Sequence, residues 1–149
     1  MTDPIDPQAL NRFVDAQESY FTQALAEISA GQKRSHWMWF IFPQFAGLGS
    51  SATAQQFAIR SRGEAATYLA HPVLGPRLIA CAKAALAIQG RTAREVFGTP
   101  DDLKLRSCAT LFAQIALEGS VFEQLLERYF DGQPDARTLT LLAHADRLL

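Results

Sequence analysis

Charge of one sign is what this sequence most conspicuously lacks. Fourteen Lys and Arg against 15 Asp and Glu leave a formal charge of −1, and the isoelectric point is about 6.3. A domain whose whole surface tracks a nucleic-acid backbone is usually strongly basic, so this balance argues against a nucleic-acid partner and leaves room only for a local basic patch. Cysteine is scarce too. Cys81 and Cys108 stand alone in apolar helical patterns, without a C-x-x-C spacing or a nearby histidine. That excludes a disulfide framework and reads both as small buried hydrophobes. The longest apolar run, Trp37 to Pro43, falls far short of the roughly 20 residues that cross a bilayer, so no membrane partner is expected. The opening MTDPIDPQ is acidic and proline-interrupted, with none of the basic and apolar regions of an export signal. The expectation is a soluble, cytoplasmic protein of bacterial type, with residues 1–7 as a flexible tail.

Strand signals are equally thin. No stretch alternates apolar and polar residues for long, and neither a repeat nor a dividing linker is visible. What is present is helical periodicity. Leu10, Phe13, Val14, Tyr20, Phe21, Ala24, Leu25 and Ile28 recur at helical spacing until Gly31, predicting one first helix. A short buried helix fits Lys33 to Gln44, limited by Pro43. The turn AGLGSS precedes a helix reaching about Ile59, capped by a serine or Thr53. Further helices fit Gly63 to Leu69, Leu74 to Gly90 and Phe122 to Phe130, and Thr92 caps a short turn to Phe97. Thr99 reads as a cap with Pro100 at the first position of a helix running to about Glu118. Asp135 caps a last helix through Leu149. A 149-residue chain buries roughly 68 to 70% of its unfolded surface and builds a core unaided. The fold class is therefore all-α, a single domain over residues 1–149 with about seven to eight helices in an orthogonal or irregular bundle.

One segment is chemically dense. KRSHWMWFIFPQ places Lys33, Arg34, Ser35 and His36 beside Trp37 and Trp39, the two tryptophans of the chain. A buried indole N–H needs a partner, so two tryptophans beside cations favour a lined pocket or an interface. Gln44, Gly47, Gly49 and Ser51 follow, where the backbone can approach a ligand and a helix begins. The phosphate-loop and dinucleotide spacings are absent. Tyr68, Arg77 and Lys104 complete the ligand-binding candidates, Asp101 with Lys104 and Asp102 with Arg106 being ordinary helical pairs. His36 and Glu64 are the candidate acid or base, since an imidazole titrates near neutrality and burial can raise a carboxylate. No Ser, Cys or Thr has a base at triad spacing. His36, His71 and His144 lie too far apart for a metal site, and neither metal nor cofactor is expected. The plainer reading makes Trp37, Met38, Phe40 and Ile41 core and leaves Lys33 and Arg34 solvated, so core and site both remain open.

Three of these stretches together carry a resemblance: KRSHWMWFIFPQ with GLGSS, then EAATYLAHP with LGPRL, then FGTPDDLKLRSCATLF. From about Leu10 to Leu142 the chain resembles the domain-of-unknown-function family 1810. That resemblance implies an all-helical fold and no established activity or catalytic set. The calpastatin label carried by some members does not transfer, because a calpain inhibitor is a long disordered repeat protein. Function is therefore read from the segment itself: a small, anionic, planar ligand such as a nucleotide or ADP-ribose derivative, bound and in the sharper version acted upon. The alternatives are an interaction module or homodimer built on Trp37 and Trp39, and single-stranded nucleic-acid binding along Arg34, Arg60, Arg62 and Arg77.

Overall fold

The apolar stripe that starts at Leu10 does not run as one helix. In the computed structural model, which describes residues 7–148, a 3₁₀ turn at Pro7–Leu10 leads into α1 (Asn11–Glu18), and α2 (Phe21–Ser29) begins after a break at Ser19 and Tyr20. The break has a packing reason: α1 lies against α3 (Met38–Ile41) and α2 against α6 (Leu74–Ala87), two directions that one straight helix cannot serve. Of the expected tail over residues 1–7, residues 1–6 lie outside the described residues, as does Leu149, and Pro7 belongs to the 3₁₀ turn.

The remaining helices are α4 (Ala52–Gln56), α5 (Arg62–Ala70), α7 (Ala93–Phe97), α8 (Asp101–Ala113), α9 (Val121–Phe130) and α10 (Ala136–Arg147). Ten α-helices and no strand are thus found among the described residues, more helices than the periodicity suggests, because the first splits and the turn expected after Thr92 closes into the helix α7. Caps follow the sequence at several starts. Ser51, Ser61, Ser120 and Asp135 each accept a backbone N–H from the first turn, and Thr92 with Glu95 forms a reciprocal capping box. Thr99 departs from expectation. The helix after it starts at Asp101 without a side-chain cap, its first turn drawing on the carbonyls of Gly98 and Pro100. It also stops at Ala113, well before Glu118.

α6 packs against α2, α5 and α9, while α8 packs against α7, α9 and α10. Gly75 permits the approach of α6 to the end of α5, since a Cβ there would stand 2.1 Å from the Leu69 carbonyl oxygen. Aromatic rings form a continuous ribbon from the exposed Tyr20 into the interior through Phe40, Phe57, Phe13, Tyr68 and Phe112 to Phe122, with neighbouring centroids 5.1 to 5.7 Å apart. Cys81 and Cys108 are buried thiols, as their setting in the sequence implies.

Candidate functional site

The dense segment folds around a carboxylate that precedes it. Glu27, in the last turn of α2, accepts the backbone N–H of Arg34 at 2.8 Å and of Ser35 at 3.0 Å, the Ser35 hydroxyl at 2.7 Å and the Trp37 indole N–H at 2.9 Å. Gln23 donates a further bond at 3.0 Å. Partial burial works to raise the Glu27 pKa, but these donors outweigh it and hold the group down at about 2. Trp37 is thereby fixed with 0% of its surface exposed. Its ring packs against Phe42, and the Lys33 ammonium sits over it at 5.1 Å. Lys33 is itself spent. It donates to the Ser35 carbonyl and pairs with Asp101 at 2.9 Å, its side chain only 8% exposed.

Trp39 has the opposite setting. It lies within α3 and is partly exposed, whereas Trp37 is the residue before that helix and has a non-helical backbone. Trp39 forms, with Gln44, Gly49 and Ala54, the common wall of two adjoining cavities. The larger, about 400 Å³, is completed by Leu48, Ser50, Ser51, Leu103, Lys104 and Ser107. The smaller, about 130 Å³, runs toward Phe45, Phe57, Gln55 and Arg60. The loop between Gln44 and Arg60 is closed at its base, where Ile59 N–H donates to the Gln44 carbonyl and Ala46 N–H to the Ile59 carbonyl. Arg137 of α10 donates to the Gly47 carbonyl, and Gly47 adopts a φ of +101° that favours glycine. At Gly49 a Cβ would lie 2.5 Å from the Ala54 Cβ, so this wall is shut to a larger residue.

Lys104 stands over the Trp39 ring at 4.8 Å and reaches Asp101 at 3.5 Å. The Trp39 indole N–H, the Gln44 side-chain amide, the Ser50 hydroxyl and the Arg60 guanidinium have no hydrogen-bond partner among the described residues. The larger cavity thus holds an aromatic face, a cation and the donors of Gln44 and Ser50, and the smaller one, across the shared wall, adds Arg60.

The other candidates lie elsewhere. Arg34 is exposed and among the described residues its side chain bonds only the nearby Gln32, and His36 is exposed; neither lines the cleft. Ser35 is committed to Glu27. Glu64 is buried, paired with Arg12 at 3.0 Å and accepting the Arg60 N–H. Tyr68, one turn along the same helix, is fully buried and accepts from the Gln17 amide at 3.1 Å. Burial pushes its phenol upward, away from use as an acid near neutrality. Arg77 pairs with Glu18 and rests over Phe21, and Arg62 pairs with Asp146, so no free basic groove joins them to Arg34. The expected Asp102–Arg106 pair is replaced: Arg106 donates to the carbonyls of Gln133 and Pro134. Ser51 lines the cleft but its hydroxyl caps α4. The thiols are raised by burial, Cys81 to about 12. His71 accepts the N–H groups of Val73 and Leu74 at a helix junction.

Sequence reasoning missed Glu27, Leu48 and Leu103. Glu27 had no local signal, because its partners lie across the Gly31 turn. Leu103 and Ser107 come from α8, and only the tertiary fold brings them to Trp39.

Compared with known families, residues 7–142 match the one described as "protein of unknown function (DUF1810)". Among solved structures the chain is similar to the conserved hypothetical protein Rv1873 from Mycobacterium tuberculosis, with 49% identity and a TM-score of 0.90, covering 93% of this chain and 99% of that one. Comparison with curated proteins gives no match.

Proposed function

The chain belongs to the DUF1810 family of proteins of unknown function, and for it we propose that the Trp39 cleft binds a small planar ligand bearing an acidic group, of the nucleotide or ADP-ribose kind. One observation carries this reading: Trp39 is half-buried with no partner for its indole N–H among the described residues, while Lys104 sits over its ring at the cleft wall. A cation beside an aromatic face suits a planar anion. Gln44 and Ser50 supply the hydrogen bonds that would orient it, and Arg60 offers a second cation in the smaller cavity. The anion's partners are therefore Lys104 and Arg60 in place of Lys33 and Arg34. His36 and Glu64 lie outside the cleft, and Asp101 is held between two lysines, which supports binding more than turnover. The exposed Leu103 on the rim, 54% accessible, favours one rival, a partner protein's apolar side chain seated in the same cleft.

The two tryptophans provide the test. With ¹⁵N-labelled protein, the two indole N–H resonances are assigned by Trp39→Phe and followed through titration with nucleoside monophosphates, ADP-ribose, NAD and aromatic carboxylates. The expected result is that the Trp39 resonance moves with a ligand while that of Trp37 stays. A Trp39 resonance that moves with no ligand, or moves only together with Trp37 as the fold loosens, rejects the reading.

A further inference from the structure

Asp101 lies between two lysines of different standing. Its Oδ2 is 2.9 Å from the buried ammonium of Lys33, and its Oδ1 is 3.5 Å from that of Lys104, which faces the cleft. We propose that this Lys33–Asp101–Lys104 relay sets the charge selectivity of the cleft: Asp101 is a built-in competitor for Lys104, and Lys33 holds that competitor back so that an acidic ligand can take its place. The inference rests on the cleft being a binding site and adds residues that position its cation without touching the ligand.

Three features support the assignment. The shorter contact belongs to Lys33, which has a second anchor on the Ser35 carbonyl and a third over the Trp37 ring. Asp101 is therefore retained by the core when Lys104 is engaged by something else. The longer contact leaves Lys104 free to turn, since an ammonium offers three donors and the Trp39 ring takes no proton. Asp101 and Asp102 also occupy the first turn of α8, where their charges offset the positive end of that helix beside Pro100 and Leu103. Removing the Asp101 charge would expose both Lys104 and the helix terminus to an incoming anion.

The relay makes a prediction opposite in sign to direct contact. Were Lys33 itself a ligand cation, its loss would weaken acid binding whatever happened at Asp101. In the relay, Lys33→Met weakens acid binding only because Asp101 then turns wholly onto Lys104, so removing Asp101 as well restores it.

The probes are naphthalene-2-carboxylate and its neutral amide, which share one shape, with dissociation constants read from the Trp39 indole N–H. The ratio of the two constants cancels general loosening of the cleft. Asp101→Asn should raise the preference for the acid about fivefold and Lys33→Met should lower it by a similar factor, the scale of a partly exposed ion pair. The double variant Lys33→Met/Asp101→Asn should exceed wild type. It also leaves no buried unpaired charge, so it carries the test if Asp101→Asn alone fails to fold. A double variant that stays at the Lys33→Met level overturns the relay and leaves the cleft standing. A Trp39 resonance unmoved by both probes overturns the relay together with the cleft.

Discussion

Trp37 and Trp39 are two residues apart, and each has a lysine over its ring, at 5.1 and 4.8 Å. Their physical situations are nevertheless opposed. Trp37 has no exposed surface and donates its N–H to Glu27, whereas Trp39 is half-buried and its N–H has no partner among the described residues. The same residue type beside the same cation is structural in one place and available in the other. Satisfied hydrogen bonds and burial make the difference, and composition does not. Asp101 joins the two lysines, so the structural half of the segment is wired to the available half.

Breaking each ring in turn is the largest test of that contrast. Trp37→Ala should cost about 3 to 5 kcal/mol, as for a large core aromatic, and lower the melting temperature by roughly 6 to 20 °C at about 2 to 4 °C per kcal/mol. Trp39→Ala should cost about 1 kcal/mol, near the middle of ordinary substitutions, because part of its surface is already in water. Thermal melts of the two variants decide it. Equal losses would place Trp39 in the core and remove the cleft from consideration.

Glu27→Gln probes the structural half at intermediate size. The shape survives but a carboxylate that accepts from Arg34, Ser35, Trp37 and Gln23 becomes an amide, at a cost of about 2 kcal/mol near neutrality. The pH dependence has a definite sign. The folded pKa of about 2 lies below the ordinary 4.5, so this stabilisation is complete above about pH 4.5 and drains as the pH falls toward 2. Urea denaturation of wild type and variant should therefore show a stability gap at pH 7 that has shrunk by about half near pH 3. A gap independent of pH would mean that Glu27 acts by packing alone.

Much of this was legible in the sequence and some was not, for particular reasons. Thr92 with Glu95, Ser51 and Asp135 announce helix starts because a cap is a local event within three residues. The aromatic segment announces itself by composition. Its division between core and cleft does not, because α3 is a single turn and the setting of each tryptophan comes from other elements, Glu27 of α2 for Trp37 and α8 for Trp39. The split of the first helix at Tyr20 was hidden for a similar reason: periodicity continues through a break whose cause is two different packing partners. Glu64 and Tyr68 share a helix face as their spacing implies, but the face is the inner one, occupied by Arg12 and Gln17.

The smallest expected effect concerns Lys104, and it separates the two halves most sharply. Its ammonium has one long ion pair and a ring contact, and partly exposed pairs of this kind contribute little, so Lys104→Met should change stability by no more than about 0.5 kcal/mol. Lys33→Met should cost more, because the buried Asp101 contact at 2.9 Å and the Ser35 carbonyl both lose their donor. In binding the order reverses: Lys104→Met abolishes discrimination between a planar acid and its neutral isostere, because the cation that would meet the acid is gone. Urea melts paired with the two-probe titration measure both quantities on the same samples. A Lys104 variant that loses several kcal/mol would show that its charge serves the fold, and a variant that keeps its acid preference would move the anion's partner to Arg60 in the smaller cavity.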